Sequence, residues 1–160
     1  MDFIAIHAAS KPDTVCLIEG ERAWTWAEFL ERRNRLAHSL AGLGLSAGEK
    51  VVVYAHNSLE ALLAPAGARA LGAVPVPMNH RLVAEEVAYI LDHSDGVIVF
   101  ADDSFIPVVE QVRPGALKVR HWILMGEARR PWALHLDDLM ERGSPDTPAA
   151  AASATFGGSM

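Results

Sequence analysis

The sequence predicts an α/β fold in which repeated β-α-β units form a mostly parallel sheet flanked by helices. Short continuous apolar runs, clearest at residues 51–55 and 97–101, alternate with longer stretches of helical periodicity. Strands that alternate with helices in this way favour a parallel sheet with right-handed crossovers. A chain of 160 residues, 51% of them hydrophobic, is long enough for one domain with a substantial core.

The first third of the chain predicts a helix, a hairpin and a long amphipathic helix. Residues 3–10 suit the first helix, and residues 15–19 and 23–25 suit two strands joined by a turn. Thr25 and Glu28 have the spacing of a capping box, so a helix should follow from residue 26 to about residue 43, before Gly44. Its solvent-exposed side is predicted to hold four charged residues: Glu31, Arg32, Arg33 and Arg35.

The rest of the chain alternates strands and helices. Strands are predicted at residues 51–55, 73–78, 97–101 and 119–125, and helices at about 58–71, 83–93, 105–112 and 132–140. Asn57 or Ser58 can cap the first of these helices. Pro75 and Pro77 cannot donate ladder hydrogen bonds, so their strand is expected at an edge of the sheet or paired on one side only. Residues 1–143 are predicted to form the domain, and residues 144–160 a Pro/Ala-rich linker and tail.

Composition and charge exclude several classes of function. The net charge is −6 with only three lysines, so the chain offers no basic stripe for nucleic acid. The single cysteine, Cys16, excludes an internal disulfide and a cysteine-based zinc site, and its apolar neighbours predict a buried thiol. No apolar stretch suits a transmembrane segment and no basic leader precedes the first helix, so a soluble cytoplasmic protein is expected.

Isolated polar residues give no strong signal for chemistry. Seven histidines are scattered without an i, i+4 pair, which favours surface or capping positions over metal binding: His7, His38, His56, His80, His93, His121 and His135. The acidic pairs Asp102-Asp103 and Asp137-Asp138 are expected to cap helices, although Asp102 also follows a strand, where parallel sheets bind ligands. Ser94 suits a turn. Gly157-Gly158 is a weak candidate for a phosphate-binding loop, because no lysine follows it. We assign no catalytic, cofactor-binding or metal-binding residue.

Three stretches in order carry the pattern of a known family. They are WTWAEF at residues 24–29, GEKVVV at residues 48–53 with NSLE at residues 57–60, and LGAVPVPMN at residues 71–79. Over roughly residues 3–125 the chain resembles the N-terminal portion of AMP-forming acyl-CoA synthetases. These enzymes belong to the adenylate-forming superfamily, together with luciferases and peptide-synthetase adenylation domains. In the family these stretches are structural.

The resemblance implies an activity for a full-length enzyme. ATP and Mg²⁺ would convert a carboxylic acid, by general likeness a fatty acid, into an acyl-adenylate, and the thiol of coenzyme A would displace AMP. The family's phosphate loop, magnesium ligand, ribose-binding aspartate and C-terminal lysine have no counterpart in these 160 residues. The sequence ends about where the phosphate loop should begin, so we expect the chain alone to bind no cofactor and to be inactive.

Three functions stay open at this point. The first is a part of a fatty acid–CoA ligase, whose partner would be the remainder of the ligase or a second copy of the chain. The second is a non-catalytic α/β interaction module derived from such a ligase. The third, an unrelated small-ligand binder with a flavodoxin-like sheet, is disfavoured by the three family stretches.

Overall fold

The helices and strands follow one another as the alternation predicts. In a computed structural model, which describes residues 1–150, they are α1 (Phe3–Ser10), β1 (Val15–Glu19), β2 (Arg22–Thr25), α2 (Trp26–Gly42), β3 (Lys50–Tyr54), α3 (Leu59–Arg69), β4 (Val74–Pro77), α4 (Ala84–His93), β5 (Gly96–Ala101), α5 (Ile106–Val112), β6 (His121–Leu124), β7 (Leu134–His135) and α6 (Leu136–Arg142). Two 3-10 turns, Asp103–Phe105 and Arg113–Gly115, flank α5. The tail predicted at residues 154–160 lies outside the described residues.

Five strands form the predicted parallel sheet, and β1 and β2 form a separate antiparallel hairpin. The order in the large sheet is β4-β3-β5-β6-β7, with every neighbouring pair parallel. The N–H groups of Val74 and Met78 donate to β3-side carbonyls at 2.8 and 3.0 Å, so Pro75 and Pro77 fall where no donor toward β3 is needed. The predicted edge position of this strand is confirmed.

Both faces of the sheet are covered by helices. Successive residues of β3 point to opposite faces, so Val51 packs under α2, α3 and α6, whereas Val52 packs under α4 and α5. Both side chains are completely buried. Burial on both faces explains why the sequence of β3 is a continuous apolar run instead of an alternating one.

The ends of α2 follow the predicted capping signals. Thr25 and Glu28 form the capping box, each accepting a hydrogen bond from the other residue's backbone N–H at 3.2 Å. Gly44 has a φ of +90°, and the N–H of Leu45 donates to the carbonyl of Leu40 at 3.1 Å, which is the Schellman arrangement. A residue with a Cβ would be strained at position 44.

The last predicted helix is wrong in its first half. Residues 134–135 form the short strand β7 beside β6, and α6 begins only at Leu136. Trp132 packs edge-on against Trp122 of β6, with 6.4 Å between ring centroids, and so anchors the chain beside the sheet just before β7 begins. A nine-residue apolar pattern cannot separate a two-residue strand from the first turn of a helix.

The predicted solvent-exposed side of α2 is partly buried. The side chain of Arg33 is only 4% exposed and forms a bidentate ion pair with Asp2 at 2.8 and 2.9 Å. Its Nε donates to Asn34 Oδ1 at 2.9 Å. Asp2 also accepts from the N–H of Ala5 at 3.1 Å, so one carboxylate caps α1 and fastens it to α2. The prediction failed because α1 covers a face of α2 that periodicity alone assigned to solvent.

Two smaller observations complete the packing around α2. Cys16 is half-buried, less than predicted, and its Sγ donates to the carbonyl of Trp24 at 3.4 Å. Residues 143–146 lie along α2: Arg35 donates to the carbonyl of Gly143 at 3.0 Å, and Asn34 donates to that of Pro145 at 2.9 Å.

Among residues 1–150, no helix has both the length and the hydropathy needed to cross a membrane.

We expect Asp2→Asn to lower the free energy of unfolding by about 3 kcal/mol, because it leaves the Arg33 guanidinium buried without its counter-charge. Asparagine still caps a helix, so the effect isolates the ion pair from the cap. Glu31→Gln, which removes the exposed ion pair between Glu31 and Arg35 on the same helix, should cost about 0.5 kcal/mol or less. Urea unfolding of both variants measures the difference, and equal costs would contradict a dominant role for the buried pair.

The same pair predicts a loss of stability in acid. Burial by itself raises the pKa of Asp2, but hydrogen bonds from Arg33 and the Ala5 N–H outweigh it, so the pKa lies below its ordinary value. A lowered folded-state pKa adds stability above the unfolded-state pKa of about 4, and this stability is lost as pH falls through the folded value. The gap in unfolding free energy between the parent chain and Asp2→Asn should therefore shrink below about pH 4. A gap that stays constant from neutral pH to pH 3 would refute the assignment.

Candidate functional site

The carboxyl ends of four parallel strands meet at a polar cleft of about 450 Å³. In the order β4-β3-β5-β6-β7, β3 comes first in the chain, β4 is added on one side of it and β5 on the other. The connections that leave β3 and β5 therefore run to opposite faces of the sheet, which makes the gap between them the switch point where such sheets bind ligands. The cleft is lined by residues from these ends and from the hairpin: Glu19, Arg22, His56, Asn57, Ser58, Glu60, Asp102, Ser104, Met125, Gly126, Glu127 and Asp137.

Asp102 spans the switch point as a brace. Its Oδ2 accepts from the backbone N–H of His56 at 2.7 Å, and its Oδ1 accepts from that of Ser104 at 2.9 Å. Its own N–H donates to the carbonyl of Tyr54 at 3.2 Å. The predicted capping role is confirmed, since Asp102 caps the turn that leads into α5. Both carboxylate oxygens are used within the fold.

Asp103 holds the loop that follows β6. Its carboxylate accepts from the N–H groups of Glu127 at 2.9 Å and Ala128 at 3.1 Å. A Cβ on Gly126 would lie 2.3 Å from Asp103 Oδ1, so only glycine allows this close approach. The prediction of a helix cap for Asp103 is wrong, because the acceptor serves a loop from another strand. The only sequence signal for this contact is a glycine directly after an apolar strand. Periodicity gives no reason to place that glycine beside an aspartate 23 residues earlier in the chain.

His135 caps α6, whereas the sequence predicted this role for Asp137-Asp138. Its Nδ1 accepts from the N–H of Asp137 at 3.1 Å, which leaves the proton on Nε2 to donate to the carbonyl of Gly126 at 2.6 Å. The ring is 5% exposed. Asp138 instead pairs with Arg129 at the surface, and this hydrogen bond holds the pKa of Asp138 below its usual range. A buried histidine cap is possible here because both ring nitrogens have partners.

Aromatic rings fill the crevice beside the brace. Tyr54 and Phe105 stack with 4.0 Å between ring centroids, and His56 lies 4.9 Å from Phe105. His80, from the turn after β4, lies 4.7 Å from His56. Burial raises the pKa of Tyr54, and the nearby Asp102 carboxylate raises it further. The switch point is therefore packed rather than open, and the free volume lies toward the hairpin side.

The hairpin side of the cleft is fastened by charged groups. Arg22 donates to Glu60 and to Glu19 at 3.3 Å, and Glu19 accepts from the backbone N–H of Leu59 at 3.1 Å. Ser58 caps α3 through the N–H of Ala61 at 3.0 Å, as predicted. At the opposite, amino edge of the sheet, Ser94 accepts from the N–H of Gly96 at 3.3 Å, which confirms its turn role.

The charge of the cleft is mainly negative. Its lining carries five carboxylates and one guanidinium, and that guanidinium is already paired with two of the carboxylates. A reacting phosphate needs cations and aligned N–H donors, whereas the carboxylates of this cleft repel it. Within residues 1–150, no three His, Cys, Asp or Glu side chains converge in a geometry that could hold a metal ion. The described polar groups brace the carboxyl edge of the sheet.

Comparisons with known proteins agree with the fold and the three family stretches. The family described as "AMP-binding enzyme" matches residues 4–154. A medium/long-chain-fatty-acid–CoA/3-oxocholest-4-en-26-oate–CoA ligase of Mycobacterium marinum is 36% identical over 118 residues, which are 73% of this chain and 22% of that protein. A fatty acid–[acyl-carrier-protein] ligase of Streptomyces coeruleorubidus is 34% identical over 149 residues, 91% of this chain and 28% of that protein.

A solved structure supports the same assignment. The N-terminal domain of FACL13 from Mycobacterium tuberculosis, determined with a bound inhibitor, matches with a TM-score of 0.79 and 30% identity. The match covers 91% of this chain and 36% of that chain. The chain spans about a quarter of the length of the curated relatives it matches. The predicted resemblance to AMP-forming acyl-CoA synthetases is confirmed.

We expect Gly126→Ala to destabilise the chain by about 2 kcal/mol, since the new methyl group must displace the Asp103 carboxylate from its two backbone donors. Gly115→Ala is the matched control, because a Cβ there meets nothing within 4 Å. That control should change stability by about 0.5 kcal/mol or less. Thermal unfolding gives the stabilities, and faster amide exchange of Glu127 and Ala128 in Gly126→Ala would locate the damage. Equal stability of the two variants would contradict the brace.

Proposed function

The chain belongs to the AMP-binding enzyme family, and from this membership we propose that it supplies N-terminal scaffold to a fatty acid–CoA ligase of the cytoplasm. The whole enzyme would use ATP and Mg²⁺ to form an acyl-adenylate and coenzyme A to release AMP. The fatty acid class is supported by relatives described as fatty acid ligases. These substrates and cofactors are proposed for the whole protein, of whose relatives the chain spans about a quarter.

One observation carries the proposal that these 160 residues do not adenylate an acid alone. In the carboxyl-edge cleft the carboxylates outnumber the cations, and both oxygens of Asp102 are bound to backbone N–H groups. Stabilisation of phosphoryl charge usually depends on donors and cations that are aligned before reaction. The groups that this cleft offers have the opposite sign or are already engaged.

A second candidate is the non-catalytic interaction module. It is favoured by large apolar side chains that α1 and the hairpin leave in solvent, with Phe3 62% exposed and Ile18 73% exposed. Apolar side chains on neighbouring elements suit a contact with another protein surface. The remainder of a ligase or a second copy of the chain would meet this description, so the second candidate differs from the first in its chemistry and not in its need for a partner.

The direct test is acid-dependent exchange of labelled pyrophosphate into ATP. We expect the purified 160-residue chain, given ATP, Mg²⁺ and a fatty acid, to show no exchange above a blank without acid. The Mycobacterium marinum ligase, assayed beside it, provides the positive control. Exchange above the blank by the chain alone would refute the proposal that it is inactive alone.

A chimera separates the two candidates. Residues 1–150 replace the matching segment of the Mycobacterium marinum ligase, and the product is checked for a single cooperative unfolding transition. We expect fatty-acid-dependent exchange from this chimera, because the chain contributes sheet and helices rather than reacting groups. A folded chimera without exchange, beside an active parent ligase, would favour the interaction module.

A further inference from the structure

A groove between α1 and α3 lies away from the carboxyl-edge cleft. Helix α3 starts at the carboxyl end of β3 and returns to the amino edge before β4 begins, so its last turn lies at the opposite edge of the sheet from Asp102. The groove has a volume of about 280 Å³. It is lined by the start of α1, one residue of α2 and the last turns of α3: Met1, Asp2, Phe3, Ile4, Arg33, Ala66, Arg69 and Ala70.

The walls of this groove are apolar along the helix axes. Ala66 and Ala70 give a floor of small side chains, and Phe3 stands on the other side with 62% of its surface exposed. Leu62, Ala66 and Arg69 follow one another at i, i+4 and i+7, so they share one face of α3. Leu62 is 50% exposed and extends the apolar wall by about 10 Å from Arg69 toward the hairpin.

The two arginines that line the groove differ in whether their guanidinium groups have partners among residues 1–150. Arg33 is neutralised by its bidentate pair with Asp2. Arg69 lines the groove, is exposed, and makes no side-chain hydrogen bond or ion pair with any residue from 1 to 150. Among residues 1–150, the lining therefore presents one unpaired guanidinium, that of Arg69, at the end of an apolar wall in a chain whose net charge is −6. A free cation at one end and an apolar surface along the rest are complementary to an anionic amphiphile.

We propose that this groove binds a single-chain anionic amphiphile of the fatty acid class, with its carboxylate on Arg69 and its alkyl chain along Phe3, Ala66 and Leu62. Guanidinium binds carboxylate through two parallel hydrogen bonds, which fixes the head group. The apolar side chains that border the groove gain from covering an alkyl chain. The site needs no nucleotide and lies at the amino edge of the sheet, so it is independent of the ligase chemistry proposed above.

A second copy of the chain fits this groove less well. Asp2 is the only acidic residue of α1 and its cap, and it is committed to Arg33; Glu60, the only acidic residue of α3, pairs with Arg22. A symmetric contact of α1 and α3 with their own copies would therefore bury Arg69 without a carboxylate partner, which is costly. An external carboxylate removes that cost.

Titration calorimetry of the 160-residue chain with decanoate tests the proposal. We expect Arg69→Gln to weaken decanoate binding about fivefold, as the loss of an exposed ion pair implies. Arg81→Gln removes an exposed arginine from the far side of the sheet and should leave the affinity unchanged. Leu62→Gln should also weaken binding, whereas Leu117→Gln, at a residue 90% exposed in a distant loop, should not.

An uncharged probe of equal chain length separates recognition of the carboxylate head group from non-specific binding of the alkyl chain. We expect 1-decanol to bind the parent chain more weakly than decanoate, and with equal affinity to the parent and Arg69→Gln. Amide chemical shifts should change with decanoate at Phe3, Ala66 and Ala70. Equal affinity of decanoate for Arg69→Gln and Arg81→Gln, shifts confined to other residues, or no binding by the folded parent chain would each overturn the proposal. Thermal unfolding of each variant confirms that a loss of binding is not a loss of fold.

Discussion

Burial of the central strands on both faces is the constraint from which the architecture follows. Val51 and Val52 point to opposite sides of β3 and are both fully buried, so helices must lie above and below the sheet. Parallel pairing requires the chain to cross over through those helices, and the crossovers bring every strand's carboxyl end to one edge. The cleft is a consequence of this requirement, because the segments that follow the neighbouring strands β3, β5, β6 and β7 have to meet there.

The loops at that edge are held by side-chain acceptors on backbone donors. Asp102 joins the segments after β3 and β5, and Asp103 joins the segment after β5 to the loop after β6. His135 then connects that loop to α6 through the carbonyl of Gly126. Three neighbouring connections are thereby tied into one network of hydrogen bonds. A carboxylate that accepts from two backbone N–H groups is a strong local tie, since each such bond is charge-assisted.

Local sequence signals correctly predicted features that depend on nearby backbone, such as helix starts and the edge strand. They failed where the burial of a side chain depends on a segment distant in the sequence. Thr25 with Glu28 gave the start of α2, and Pro75 with Pro77 gave the edge strand, since each signal acts through its own backbone. Arg33 was expected in solvent, because its burial depends on Asp2, 31 residues earlier. Periodicity within one helix describes which residues share a face, but it does not tell how many other helices cover that helix.

The two edges of the sheet differ in whether their charged side chains are paired within the fold, and this difference bears on function. At the carboxyl edge, Asp102, Asp103 and Arg22 are bound within the fold, so this edge is built for rigidity. At the amino edge, Arg69 stands beside an apolar groove with its guanidinium free among residues 1–150. Satisfied polar groups stabilise a fold and have little left to offer a ligand, whereas an unsatisfied cation next to apolar surface gains on meeting an amphiphilic anion. An anionic amphiphile of the proposed kind therefore meets an unpaired guanidinium beside apolar surface at the amino edge, whereas the carboxyl edge offers it polar groups that are already bound.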